Sequence, residues 1–262
     1  MNKMFDWLAL ELSKIRTPRF HIVDGPADSK LREDIISSPL RLPTSYENFV
    51  LQFGNAKLYR KSRCGYVVGV FAGPQKFSMT DGTSAYEIGF HNSEKVLLKI
   101  KTDSNYYGVY ERGLSSDHEV ARDFDDWLKT TCEKARSSYP PEKWENIIRG
   151  PAPFSTKEKK IVETRRLIKW RVLGIDPSGD HIFEITNAGR LTLPVLTVGV
   201  RSKDGRFNGA VRLKIGHIVP GDKAVIHVAC YKDLVQPDQI EILPLPDPQP
   251  EDREYYNEFS LK

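Results

Sequence analysis

Apolar residues recur at helical spacing at the start of the chain, where Met4, Phe5, Leu8 and Leu12 fall on one face and Thr17-Pro18 supplies a stop. A short amphipathic helix is predicted there. A second helix is predicted from Thr44-x-x-Glu47, which has the form of a capping box whose hydroxyl and carboxylate satisfy the first orphan amides, with Gly54 suited to a left-handed C-terminal position. Its buried stripe would be Phe49, Val50 and Phe53.

From Ala56 the period falls to two, and Cys64 to Phe71, Ala85 to Phe90, Lys95 to Ile100 and Tyr106 to Glu111 read as strands. Gly73-Pro74, Asp81-Gly82 and Asp103-Ser104-Asn105 divide them as turns. In the strand at Lys95, Val96, Leu98 and Ile100 share one face, and Lys95, Leu97 and Lys99 share the other. The sheet should therefore have one buried face and one wet face. A third helix is predicted from a second capping-box pattern, Ser116-x-x-Glu119, running through Val120, Phe124, Trp127, Leu128, Thr131 and Ala135 to dock on the sheet. An α+β domain with an antiparallel-rich sheet, residues 1–137, follows.

Tyr139-Pro140-Pro141 and Gly150-Pro151-Ala152-Pro153 forbid one continuous helix, so residues 138–160 read as a proline-containing linker. Beyond the mixed-charge stretch Lys157 to Arg166, strand signals recur at Leu167–Ile175, Asp180–Asn187, Leu191–Arg201, Phe207–Ile215, Lys223–Tyr231 and Gln239–Leu243. Turn residues separate them with no helical stretch between, which predicts an all-β immunoglobulin-like sandwich over residues 161–243. Within the proline-rich tail, residues 244–262, the stretch Pro244 to Pro250 should be extended, and the Tyr255, Tyr256 and Phe259 that follow it read as a tie-down onto the parent domain.

Charge narrows the function classes. Lys and Arg outnumber Asp and Glu by 22 to 20 up to Gly150 and by 17 to 15 beyond it, so neither half concentrates positive charge as a dedicated nucleic-acid binder does. Cys64, Cys132 and Cys230 are odd in number and too far apart for a CxxC or metal spacing, which suits a reducing compartment. Lys3, Asp6 and Glu11 interrupt the apolar start, and no run of about 18 apolar residues occurs, so the expectation is a cytoplasmic chain with no membrane partner.

No GxSxG, HExxH, GxGxxG, Walker or CxxC motif occurs, and the reading is of a non-enzyme without cofactor, metal or catalytic residues. His227 and Cys230 stand three apart on a predicted strand and so face opposite ways. Pro237-Asp238 with Glu241 has part of a metal-dependent nuclease pattern, but Leu243 stands where the mechanism needs a lysine. Asp125 and Asp126 are adjacent on a helix and splay about 100° apart, too far for a shared proton.

The first half nonetheless carries a recognisable order of motifs. Leu42-Pro43-Thr44-Ser45-Tyr46-Glu47 entering Phe53-Gly54 is followed by the glycine-rich strand Gly65–Phe71, the hairpin end Tyr106–Tyr110 and the closing helix Phe124-Asp125-Asp126-Trp127-Leu128. Over residues 31–136 this resembles the SUKH superfamily, the Smi/Knr-like domain of bacterial immunity proteins; Gly54-Asn55-Ala56 departs from the small turn common there. The resemblance implies a protein that neutralises a cognate, nearby-encoded protein toxin by binding it, within a bacterial polymorphic or contact-dependent toxin system. A regulatory or scaffolding module without a toxin is the alternative. The wet sheet face and its turns are the expected partner surface, with Tyr86, Glu87, Asp103, Tyr106, Tyr107, Tyr110 and Glu111 as candidates, because tyrosine joins large contact area to few rotatable bonds. Alternation sets Tyr107 opposite Tyr106 and Tyr110.

Overall fold

A computed structural model describes residues 3–37, 42–63, 65–100, 107–113, 116–192, 196–202, 208–213, 218–228, 240–244, 247–256 and 259. The chain divides into two units, Met1–Pro151 and Ala152–Lys262.

In the first unit, α1 (Asp6–Lys14), β1 (Ile22–Val23), α2 (Ser29–Ser37) and α3 (Thr44–Phe53) precede a run of strands. These are β2 (Ala56–Arg60), β3 (Tyr66–Ser78), β4 (Ser84–His91), β5 (Glu94–Ile100), β6 (Tyr107–Arg112) and β7 (Asp117–Ala121). Then come α4 (Phe124–Ser137) and α5 (Pro141–Arg149). The strands form one seven-stranded sheet in sequence order, each pairing antiparallel with its neighbour. This unit is α+β. Val96 and Leu98 of β5 are buried on the side that also holds Phe5, Leu8, Phe49, Val50, Phe124, Trp127 and Leu128, so the helices cover one sheet face. His91 pairs with Glu94 across the tight turn Asn92-Ser93, where both residues take positive φ, as a two-residue hairpin loop requires.

Three local expectations give way. Helix α3 starts at Thr44 itself, with Pro43 at the N-cap and no side-chain cap, so Thr44-x-x-Glu47 is not a working box; Gly54 does take positive φ (65°) and closes on Val50 O. Ser116-x-x-Glu119 starts no helix either. Residues 117–121 extend the sheet as β7, and α4 begins only at Phe124, capped by Asp123, whose carboxylate accepts from the Asp126 amide at 2.9 Å. Pairing with β6 satisfies a whole row of backbone groups, more than one cap could. The stretch 138–160 also contains regular structure: α5, with Pro141 at its first turn and Gly150 at its end, and the start of α6 (Thr156–Arg165). The prolines delimit these helices.

The second unit has two three-stranded antiparallel sheets. One joins β12 (Lys223–Val228), β9 (His181–Asn187) and β8 (Ile168–Ile175), and the other β11 (Asn208–Leu213), β10 (Leu196–Ser202) and β13 (Ile240–Pro244). Burial alternates strictly along β9, as a strand with one packed face requires. The unit is not all-β, because Ile161 and Val162 of α6 share its core with Phe183, Ile185, Ile218 and Ile226. Tyr256 and Phe259 join that core after a 3₁₀ turn, so the aromatic end of the tail packs as a tie-down.

A capping box holds the start of α6: the Glu158 amide donates to Ser155 Oγ, and the Ser155 amide to Glu158 Oε2 at 2.8 Å. Arg253 donates to the same carboxylate and to Ala152 O at 3.1 Å. Arg253's hydrogen bond, helped by those from Ser155, outweighs desolvation and pulls the Glu158 carboxyl down to about 2. A carboxyl depressed in the folded state stabilises above its unfolded value and stops doing so as pH falls through the folded one. The second unit is therefore expected to lose stability between about pH 4.5 and pH 2, and Glu158→Gln should flatten that limb in chemical denaturation at stepped pH. An unaltered slope in the variant would show that other carboxylates set it.

Candidate functional site

The sheet face away from the helices carries its own small cluster. Leu97 is buried there with Met79 and Ala85, flanked by Phe77 and Tyr110. Cations cover the rings: Lys95 Nζ and the Arg112 guanidinium each lie 4.8 Å from the Phe77 centroid, and Lys99 Nζ lies 5.7 Å from that of Tyr110. Each cation also has a carboxylate, Lys95 with Glu87, Lys99 with Asp81 at 2.7 Å, and Arg112 with Asp117 at 3.7 Å. Lys99's hydrogen bond, followed by those of Thr83, holds the Asp81 carboxyl far below the usual range. Solvent screening keeps the contribution of each such surface ion pair small, and each cation–π contact adds about 0.5 to 1 kcal/mol. Their effect is to fix long side chains that would otherwise have to be ordered when a partner binds.

Register divides the sequence-predicted residues between the faces. Leu97 stands opposite Tyr110, Leu98 opposite Val109, and Val96 opposite Glu111. Glu87, opposite Leu97 on the other side, therefore joins Tyr110 on the open face. Tyr110 Oη donates to Glu119 at 3.1 Å. Tyr86 and Tyr107 are half-buried against the helix-side core. Glu111 is only 8% exposed, accepts from Trp127 Nε1 at 3.2 Å and lies 2.8 Å from His91 Nδ1, so it anchors the core rather than offering a contact. Asp103 and Tyr106 lie outside the described residues.

A second feature, which no sequence spacing pointed to, is a cavity of ≈ 340 Å³ among α1, α4 and α5 over the end of β2. Trp7, Leu10, Ile15, Trp144 and Ile148 make its apolar walls, and Tyr59, Glu11 and Cys132 are among the deeper groups lining it. Tyr59 Oη donates to Glu11 Oε1 at 2.6 Å. The Tyr59 amide donates to His21 Nδ1 at 3.2 Å, which leaves the ring's proton on Nε2, 3.4 Å from the same Glu11 oxygen. Burial alone would raise the Glu11 carboxyl, but the nearby His21 ring, the hydrogen bond from Tyr59 and the charge of Arg136 hold it below its ordinary value. Tyr59 has φ 57°, a left-handed conformation that costs a non-glycine residue about 1 to 3 kcal/mol. Burial, and after it the Glu11 charge, pushes the Cys132 thiol up, away from the thiolate a nucleophile needs.

In the second unit, His227 Nδ1 lies 2.8 Å from Asp176 Oδ2, and Ser178 Oγ donates to Asp176 Oδ1 at 2.5 Å. The hydroxyl is engaged by the carboxylate instead of the imidazole, so the trio lacks the nucleophile-to-base contact of a hydrolase. Cys230, Pro237 and Asp238 lie outside the described residues. Among the described residues no group of three or more His, Cys, Asp and Glu could hold a metal ion, and no helix is long and apolar enough to cross a membrane. No family model, curated protein or solved structure matches the chain.

Proposed function

We propose that this chain is a binding protein of the SUKH toxin-neutralising kind, acting without catalysis by holding a cognate toxin domain on the open face of the seven-stranded sheet. One observation carries the reading: the partly buried rings of Phe77 and Tyr110, seated on the buried Leu97, are ringed by Lys95, Lys99, Arg112, Glu87 and Asp81. An aromatic centre inside a charged rim is how protein interfaces are built, and pre-fixed side chains lose less entropy on association. The rim mixes both signs, which favours a protein partner of mixed charge over a polyanion. In the same reading the two small sheets of the second unit belong to an immunoglobulin-like sandwich to which α6 is an addition.

The test is capture of the products of adjacent genes by the intact chain, followed by rescue of toxicity and measurement of dissociation. Tyr110→Ala and Glu87→Ala should each release the captured toxin faster, Tyr110→Ala by about 30-fold if it is a hot spot of about 2 kcal/mol. Tyr107→Ala, on the helix side, should lower the melting temperature instead. Folded variants that all release at the wild-type rate would remove this face. Capture of a non-toxic partner with the same dependence on Tyr110 would favour the regulatory scaffold.

A further inference from the structure

The cavity lined by Trp7, Glu11, Tyr59 and Trp144 has the ingredients of a cation site. Its volume of ≈ 340 Å³ falls at the lower end of the range for small-ligand pockets, about 300 to 1,000 Å³. Glu11 uses Oε1 to accept from Tyr59, while among the described residues its Oε2 has a loose ion pair, 3.9 Å from Arg136 Nη1. Glu133 adds a second carboxylate, and three aromatic rings complete the lining. An aromatic face beside a carboxylate attracts an organic cation far better than it does a neutral or anionic group.

Arg136 already displays that chemistry within the chain. Its guanidinium lies over the Trp144 ring at 5.1 Å, yet the side chain remains 58% exposed and its contact with Glu11 is too long for a hydrogen bond. A better-placed guanidinium could take both partners, with Arg136 moving out into water. The two lysines on the rim, Lys14 and Lys129, are exposed, so their repulsion is screened.

We infer that this cavity is a binding site for an alkylguanidinium cation, free or as the arginine side chain of another chain, held by Glu11 between Trp7 and Trp144 in exchange for Arg136. The site lies on the helix side of the sheet, so its failure leaves the sheet-face reading untouched, and the reverse also holds.

The test uses the full chain with butylguanidinium as probe and butylurea as its neutral counterpart, read by calorimetry and by the Nε–H resonance of Arg136. Wild type should bind butylguanidinium saturably, shift the Arg136 signal and ignore butylurea. Glu11→Gln, which can still accept from Tyr59, should abolish binding, and Arg136→Ala should tighten it by about tenfold because the internal competitor is gone. Binding by Arg136→Ala alone would show that the cavity serves only its own arginine, and equal binding by Glu11→Gln would remove the carboxylate from recognition; either overturns the inference. Should Glu11→Gln not fold, an Arg136 resonance unmoved at saturating probe in wild type overturns it as well. A capped Gly-Arg-Gly peptide separates the sources: binding as tight as the free cation assigns a protein's arginine, and weaker binding assigns a small guanidine.

Discussion

Replacing Trp127 by Ala should cost the first unit about 3 to 5 kcal/mol, a large share of the roughly 5 to 15 kcal/mol by which a domain is stable. The ring is 2% exposed and packs 5.7 Å from Phe124 in the layer between α4 and the sheet. Its loss also deprives Glu111 of the indole donor. Burial works against that carboxylate's charge, which hydrogen bonds from His91 and Trp127 and the charge of His91 sustain. Trp127→Phe keeps a six-membered ring but removes the pyrrole edge with its donor, so it should cost less, about 1 to 3 kcal/mol. Chemical denaturation of the three proteins checks both values. A Phe variant as damaged as the Ala variant would make the pyrrole edge with its hydrogen bond, and not the bulk of the ring, the dominant contribution.

The second large effect concerns two glycines that lie beside each other on neighbouring strands. A Cβ on Gly89 would stand 1.9 Å from the carbonyl oxygen of Gly69, and one on Gly69 would stand 2.0 Å from Cε1 of Phe90. Neither glycine has positive φ, so the requirement is close approach and not backbone conformation. Overpacking costs about 1 to 3 kcal/mol where side chains can yield, and more where they cannot. Gly89→Ala meets backbone, and the strands themselves would have to part. Gly69→Ala meets a half-buried ring that can swing aside. Adding Phe90→Ala should therefore recover much of the loss in Gly69→Ala and little of it in Gly89→Ala, a difference that a double-mutant cycle reads directly. Equal recovery in both would mean that β3 and β4 separate as readily as a ring turns.

The stripe of α4 was legible in the sequence because Phe124, Trp127, Leu128, Thr131 and Ala135 are spaced for a helix whatever surrounds them, and all are buried. The alternation of β5 and the opposition of Tyr107 to Tyr110 were legible for the same reason: a strand's period is a property of its backbone. Helix α6 was also present in the letters, since Ser155-x-x-Glu158 is a capping box, but its surroundings of Lys and Glu hid the pair Ile161 and Val162. The linker reading did not include that helix, although the two units divide within the linker's bounds, at Pro151. Glu111 was misplaced as a contact because a carboxylate facing a core looks, in sequence, like one facing water; only Trp127 and His91 decide which it is.

Local pattern by itself determined where α3 and α4 bury their apolar residues, that a sheet of antiparallel strands follows α3, and that prolines interrupt the chain between two sets of elements. These depend on spacing along the backbone, which the sequence states. Tertiary structure alone decided that Asp117–Ala121 is a strand, because the free edge of β6 offers hydrogen bonds that a capping signature cannot match. It alone assembled the cavity, whose Trp7, Glu11, Tyr59, Arg136 and Trp144 come from α1, β2, α4 and α5. Residues so far apart in the chain become neighbours only when helices pack on a sheet, and no spacing between them encodes that meeting.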